Sequence, residues 1–138
     1  METERLDPEK IKKMLGKGLF SENIVFYERI PSTNLIAKEL ALGGAPDRTV
    51  VLTEEQTAGR GRKERPWLSP GHRNLLVSIL LRPDLSADKV FVLTMVLAIA
   101  VIDGIKKTAG IDAMIKWPND IYIGNKKVGG ILTEFSMR

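Results

Sequence analysis

Apolar and polar residues follow a helical spacing in three parts of the chain. Asp7 and Pro8 are typical of a helix start, and the helix that they predict ends near Gly16. Ser32 opens a second, amphipathic helix, which Gly43-Gly44 ends. A longer and more apolar run over 89–108 predicts a third helix, for which Ser86 or Asp88 is the expected cap.

Strands are predicted where β-branched and aromatic residues cluster between turn residues. The predicted strands are 23–27, 49–53, 74–82, 113–117, 121–123 and 128–135. The last two form a hairpin that turns at Gly124-Asn125. The resulting order, α-β-α-β-loop-β-α-β-β-β, indicates an α+β fold with a hairpin-rich sheet.

A polar segment over 54–73 separates two of the predicted strands and is long for a loop in a compact domain. Within it, Gly59 and Gly61 permit close approach of the backbone to a ligand. Trp67 offers a planar ring on which a base can stack. The segment also carries the cations Arg60, Arg62, Lys63 and Arg65. This composition is typical of a nucleotide-covering loop, but it also suits nucleic-acid binding or a solvated surface.

Two further segments combine turn residues with candidate ligand-binding groups. Lys116-Trp117-Pro118-Asn119-Asp120 forms a β-turn by composition, with a lysine just before it. Lys127 precedes Gly129-Gly130 in a predicted strand, where glycine often marks close approach of a ligand. Ser32-Thr33-Asn34 are good helix caps, and the same groups at a helix N-terminus can hold a polar ligand.

Composition narrows the chemistry further. The 138 residues are 43% hydrophobic and 28% charged, as expected for one globular domain. The absence of cysteine excludes a thiolate nucleophile and cysteine-bound metals, and one histidine, His72, excludes a two-histidine metal site. The net charge of +4 suits an anionic ligand. Without a signal-like N-terminus or a bilayer-spanning run, we expect no membrane association and a cytoplasmic location.

Taken together and in this order, these motifs resemble those of biotin protein ligases. The resemblance rests on Ser32-Thr33-Asn34, Gln56 to Arg62 with Trp67, Asn74-Leu75, Lys116 to Asp120 and Lys127 to Leu132, and it runs from about Ile24 to Glu134. It implies an α+β fold related to class II aminoacyl-tRNA synthetases, with a mixed, mainly antiparallel sheet flanked by helices. It also implies that biotin and ATP, with Mg²⁺, form biotinyl-5′-adenylate, which then acylates a lysine of a biotin carboxyl carrier protein.

The resemblance also implies roles for individual residues. Arg60 and Lys127 are expected to be catalytic, because two anionic reactants must be aligned and the charge at the α-phosphate stabilised. Biotin binding is expected from Ser32, Thr33, Asn34, Gln56, Arg60, Gly61, Arg62, Lys127 and Gly129. ATP binding is expected from Arg62, Lys63, Arg65, Trp67, Asn74, Lys116, Asn119 and Asp120. No residue is assigned to a metal.

The chain departs from the family pattern at Glu64, where the basic loop usually has a glycine.

We expect residues 1–22 to be a helical connector and 23–138 to be the biotin- and ATP-binding part of the catalytic domain. The fold is expected to be incomplete, without the C-terminal strands of the family and without its N-terminal winged helix-turn-helix, which argues against DNA binding. A homodimer is a candidate assembly. The alternative function is a non-catalytic fragment that binds biotin or a nucleotide.

Overall fold

The computed structural model describes residues 4–137, in which three α-helices and six β-strands confirm the α+β class. The helices are α1 (Pro8–Leu15), α2 (Thr33–Leu42) and α3 (Val90–Ala109), and the strands are β1 (Ile24–Ile30), β2 (Thr49–Gln56), β3 (Leu76–Leu80), β4 (Met114–Lys116), β5 (Asp120–Ile123) and β6 (Lys126–Gly130). None of these helices is long and apolar enough to cross a bilayer.

The chain divides into two compact units. The first contains the residues up to Arg60 together with Glu64–Pro83, and the second contains Gly61–Lys63 and the chain from Asp84 onward. The first unit holds the sheet β1-β2-β3, in which β1 pairs with β2 in parallel and β3 pairs with β2 antiparallel. Its centre is Val51, which is fully buried on β2 and packs with Ile30 and Ala37. Burial of these side chains holds α2 against the sheet.

The second unit holds the antiparallel sheet β4-β5-β6 and α3. The most buried large side chain of this sheet is Ile121, at 1% exposure. The hairpin of β5 and β6 turns at Gly124, whose φ of 59° confirms the predicted turn. α3 ends at Gly110 in the left-handed conformation, as is common after a helix C-terminus.

Several strand boundaries differ from the sequence prediction because pairing partners set the length of a strand. β2 continues through Glu54 to Gln56, since Glu55 and Gln56 pair with Arg29 and Ile30 of β1. β3 covers only the five residues of 76–80 that pair with 49–53. β6 ends at Gly130 instead of continuing to 135, since its partner β5 is four residues long.

The start of α3 also differs from the prediction. Neither Ser86 nor Asp88 caps the helix, because a short 3₁₀ turn over Ala87–Lys89, which contains Asp88, precedes its first residue and places Lys89 at the N-cap. Ser86 makes no side-chain capping hydrogen bond. In contrast, Ser32 caps α2 as predicted, and its Oγ accepts a hydrogen bond from the amide of Leu35 at 3.4 Å.

Candidate functional site

The start of α2 and the end of β2 meet through one glutamine side chain. Gln56 Oε1 accepts hydrogen bonds from the backbone amide of Thr33, at 2.8 Å, and from Thr33 Oγ1, at 3.1 Å. The parallel pairing of β1 and β2 places these two elements together, since Ile30 at the end of β1 lies opposite Gln56. Thr33 is buried, so the glutamine satisfies a backbone donor at the helix start that would otherwise lack a partner. The structure thus brings together two of the residues predicted to bind biotin.

Ser78 joins the same cluster from β3. Its hydroxyl lies 2.7 Å from Thr33 Oγ1 and also contacts the side-chain amide of Asn34. Ser78 is only 7% exposed, so its hydroxyl interacts with neighbouring side chains and is nearly inaccessible to solvent. The sequence motifs assign no role to Ser78. A signal was available, because a serine on the buried face of an otherwise apolar strand requires hydrogen-bonding partners.

The segment after β2 folds back on itself around Gly59. The amide of Trp67 donates to the carbonyl of Gly59 at 2.8 Å, and Arg60 and Pro66 form an isolated antiparallel bridge. A Cβ atom on residue 59 would lie 2.6 Å from the carbonyl oxygen of Trp67 and 2.9 Å from Gln56 Nε2. The absence of a side chain at Gly59 is therefore what permits this close approach.

A cavity of about 310 Å³ lies beside this turn in the first unit. It is lined by Gln56–Gly59 on one side and by Pro66–Pro70 on the other. Its volume is at the lower end of the range for small-molecule pockets. Gln56 and Trp67, two of the predicted ligand-binding residues, both line it.

The four cations of the basic loop are solvent-exposed, but they belong to different units. Arg60 and Arg65 lie in the first unit, and Arg62 and Lys63 in the second. Lys63 and Glu64 both have positive φ, at 55° and 56°, within a short 3₁₀ turn. A left-handed backbone favours glycine, which is the residue that the resemblance leads us to expect where this chain has Glu64.

In the second unit, Asn119 connects the basic loop to the β4–β5 turn. Its Oδ1 accepts a hydrogen bond from Arg62 Nη1 at 3.3 Å, and its Nδ2 donates to the carbonyl of Ile131 at 2.9 Å. A second bond, from the amide of Ile131 to the carbonyl of Asn119, fixes the backbone of the turn. The structure thus joins two residues predicted to bind ATP, Arg62 and Asn119.

Lys127 and Asp120 form an ion pair in the same unit, with Nζ and Oδ1 2.8 Å apart. The two residues lie on the adjacent strands β6 and β5. Their side chains are 38% and 26% exposed, so the pair is accessible to a ligand from solvent. An ammonium group carries three donors, so Lys127 can keep its bond to Asp120 while it binds a second anion.

The remaining predicted residues have local partners. Lys116 Nζ lies 5.1 Å from the centre of the Tyr122 ring, and Asn74 Nδ2 donates to Ser69 Oγ at 2.7 Å. Gly129 pairs with Ile121, and a Cβ atom there would make only ordinary van der Waals contact with the Ile121 side chain. Packing within the unit therefore does not require glycine at this position. Gly61 belongs to the second unit with Arg62 and Lys63.

Among residues 4–137, no group of three or more His, Cys, Asp or Glu side chains is arranged to hold a metal ion. The site residues described above offer hydrogen-bonding groups and charged side chains. Two kinds of site result. The first unit offers a cavity with an ordered amide and hydroxyl cluster, whereas the second offers exposed cations beside a rigid turn.

Residues 26–137 match the family described as Biotin/lipoate A/B protein ligase family. Among curated proteins, the chain is similar to the bifunctional ligase/repressor BirA of Bacillus subtilis, with 42% identity over 130 residues, covering 94% of this chain and 40% of that protein. It is 41% identical over 110 residues to a biotin–[acetyl-CoA-carboxylase] ligase of Paracoccus denitrificans, covering 78% of this chain and 45% of that protein. The chain thus spans less than half the length of these relatives.

Solved structures show the same fold. The biotin protein ligase of Aquifex aeolicus in complex with biotin and ATP is similar with a TM-score of 0.72 and 33% identity, covering 83% of this chain and 47% of that one. The ligase of Leishmania major in complex with biotinyl-5-AMP gives a TM-score of 0.73 and 30% identity, covering 83% of this chain and 53% of that one. These likenesses confirm the fold class expected from the sequence motifs.

Proposed function

This chain belongs to the biotin/lipoate A/B protein ligase family, and from that premise we propose that it activates biotin with ATP. In the first step, a carboxylate oxygen of biotin attacks the α-phosphorus, and pyrophosphate leaves with the electrons of the broken P–O bond. In the second step, a neutral lysine amine of a biotin carboxyl carrier protein attacks the acyl carbon, AMP leaves with the electrons of the broken C–O bond, and the nitrogen loses a proton as the amide forms. ATP is an intracellular substrate, so the proposal includes a cytoplasmic place of action.

The observation that supports biotin as the substrate is the likeness to two ligases solved with biotin and ATP or with biotinyl-5-AMP. The residues of this chain are consistent with that choice. Gln56, Thr33 and Asn34 form a neutral hydrogen-bonding cluster, which suits the uncharged ureido ring of biotin. We assign Ser32, Gly61, Arg62 and Gly129 to the surroundings of biotin as well.

The charged residues are assigned to the reacting groups. Biotin carboxylate and ATP are both anionic, so cations must offset their repulsion as they approach. We assign Arg60 and Lys127 to the carboxylate and α-phosphate, where negative charge increases in the transition state. Arg62, Lys63, Arg65, Trp67, Asn74, Lys116, Asn119 and Asp120 are assigned to ATP. The first step needs no general base, because the nucleophile, the biotin carboxylate, is already ionised at neutral pH.

A magnesium ion is expected to enter with the triphosphate. Mg²⁺ in proteins usually keeps several waters and is held by one or two carboxylates together with phosphate oxygens. Asp120, one of the residues assigned to ATP, would supply one such carboxylate. Phosphate oxygens and waters would complete the coordination, so a larger cluster of protein ligands is not needed. The ion would offset the charge of the phosphates.

Mass spectrometry of a mixture of the chain, biotin, ATP and Mg²⁺ tests the proposal directly. We expect biotinyl-5′-adenylate and pyrophosphate, and no adenylate when lipoate replaces biotin. Addition of a biotin carboxyl carrier protein should then increase its mass by one biotinyl group. Biotin binding without any pyrophosphate release would instead support the alternative, a non-catalytic biotin-binding protein.

A further inference from the structure

The side-chain amide of Asn119 is held from both ends in the second unit. Its Nδ2 donates to the carbonyl of Ile131 at 2.9 Å, and its Oδ1 accepts from Arg62 Nη1 at 3.3 Å. A carbonyl only accepts and a guanidinium only donates, so the two partners independently require the same orientation of the amide. The oxygen of Asn119 therefore faces Arg62 because its nitrogen is bound to Ile131.

The backbone around Asn119 is fixed as well. Its carbonyl accepts from the amide of Ile131 at 2.9 Å, so two hydrogen bonds join the same two residues. The turn that contains Asn119 is closed by Lys116 and Asp120, which pair across β4 and β5. Asn119 is half-buried, and it thus offers a fixed acceptor to a more exposed partner.

Arg62 is that exposed partner, at the first residue of the short 3₁₀ turn Arg62–Glu64. The bond to Asn119 uses one N–H of the guanidinium and leaves the others for an anion, such as a phosphate bound through two parallel hydrogen bonds. The amide oxygen is neutral, so it holds Arg62 without cancelling the positive charge that an anion would meet.

The next residue along the chain holds a second cation. Asp120 Oδ1 lies 2.8 Å from Lys127 Nζ on β6. Because the Cα atoms of consecutive residues are about 3.8 Å apart, one short piece of backbone carries the acceptors for two cations from separate parts of the chain. The order of this turn thus controls the placement of both Arg62 and Lys127.

We propose that Asn119 is a positioning residue that holds Arg62 for ATP and acts on the nucleotide through Arg62, without touching it. The inference rests on the proposed function, in which both residues are assigned to ATP. The oxygen and the nitrogen of the Asn119 side chain both have protein partners already, whereas the guanidinium of Arg62 keeps further donors for phosphate.

Limited proteolysis of the ligand-free chain tests the Arg62–Asn119 contact by itself. Trypsin must take the Arg62 side chain into its own specificity pocket, so a held side chain slows cleavage after Arg62. Asn119→Ala removes both side-chain bonds, whereas Asn119→Asp loses the bond to Ile131 but gives Arg62 a charged acceptor, which binds it more strongly. Relative to cleavage after Arg73, we expect cleavage after Arg62 to be about threefold faster in Asn119→Ala and slower than native in Asn119→Asp.

A double-mutant cycle on ATP affinity tests the consequence of that contact. Calorimetric titration with ATP and Mg²⁺ gives the Kd of the native chain, Asn119→Ala, Arg62→Met and the double variant. We expect Asn119→Ala to raise the Kd about fivefold in the native chain and to have no further effect beside Arg62→Met, because the residue that it positions is then absent. Asn125→Ala, at an exposed turn, is the matched control and should leave the Kd unchanged.

The outcomes separate this role of Asn119 from the function on which it rests. Equally faster cleavage in Asn119→Ala and Asn119→Asp would indicate a general loosening of the turn and overturn the holding of Arg62. An equal loss of ATP affinity with and without Arg62 would mean that Asn119 contacts ATP itself or only supports the turn, which would overturn its action through Arg62. A native chain that binds no ATP would overturn the proposed function and the part of Asn119 in it, whereas the trypsin result decides alone whether Asn119 holds Arg62.

Discussion

Lys127 is the residue whose charge matters most for the proposed adenylation. It lies 2.8 Å from Asp120, and both side chains are partly exposed. A pair of this kind contributes little to stability, typically about 1 kcal/mol or less. Its position on β6, two residues before Gly129, suits contact with a ligand more than structural support.

We expect Lys127→Ala to slow adenylate formation about 10²–10³-fold, because the variant loses a cation that stabilises the transition state. The fold should remain intact, with a melting temperature close to that of the native chain. Single-turnover formation of biotinyl-5′-adenylate measures the effect. Lys126→Ala, at the neighbouring exposed position, is the matched control and should leave the rate unchanged. Equal rates in both variants would exclude Lys127 from catalysis.

Glu64 adds a negative charge to the basic loop, which opposes phosphate binding, and its left-handed backbone at φ 56° is a conformation that favours glycine. Glu64→Gly should strengthen ATP binding several-fold, and stability to urea should change by no more than about 1 kcal/mol. Glu64→Gln removes only the charge, so the comparison separates charge from backbone conformation. Calorimetric titration with ATP measures both variants, and affinities equal to that of the native chain would contradict the prediction.

At the scale of elements, the last turns of α3 contain an ion pair with a defined pH response. Asp103 Oδ2 lies 2.7 Å from Lys107 Nζ, one helical turn away. The hydrogen bond that Lys107 donates to Asp103, and then the charge of Asp103, raise the pKa of Lys107 above the ordinary 10.5, although the lysine is exposed. A raised pKa in the folded state means that the stabilisation is complete below pH 10.5 and is lost as the pH rises through the higher value.

We therefore expect Asp103→Asn to lower the melting temperature slightly at pH 8, and we expect this difference to diminish as the pH rises above 10.5. Thermal unfolding of both proteins across this range measures the difference. Because the pair is exposed, about 1 M salt should reduce the difference at pH 8. A difference that grows with pH would show that the pair does not act through the protonated lysine.

Elements fixed by local chemistry were predictable from the sequence, and elements fixed by distant partners were not. The Ser32 cap and the turn at Gly124 depend on neighbouring residues, and both are confirmed. The polar end of β2 was predicted as loop, because its strand character comes from parallel pairing with β1. Arg29 Nε and Glu55 Oε1, 3.3 Å apart, strengthen that pairing across the two strands.

The candidate site shows the same division. The motifs predicted which residue types would carry the chemistry, and the structure joins Thr33 to Gln56 and Arg62 to Asn119. Ser78 was missed because its role arises from β3 lying beside β2 in the folded sheet. The assigned roles in binding biotin and ATP remain predictions.

At the scale of the whole molecule, the net charge of +4 and the clustered cations of the basic loop predict different salt responses for the two ligands. ATP carries several negative charges and biotin one, so screening should affect ATP more. Between about 50 and 500 mM salt, we expect the Kd for ATP to rise about tenfold and that for biotin about twofold. Titrations at fixed Mg²⁺ measure both, and equal responses would place ATP away from the basic loop.

The turn at Gly59 has a thermodynamic consequence for ligand binding. The bond from the Trp67 amide and the bridge between Arg60 and Pro66 hold the two ends of the loop together before any ligand arrives. Fixing the backbone of one residue costs roughly 1–2 kcal/mol of conformational entropy. Because only 61–65 lie beyond the bridge, closure of the loop over a ligand costs at most about 5–10 kcal/mol, instead of a penalty summed over the whole segment 54–73.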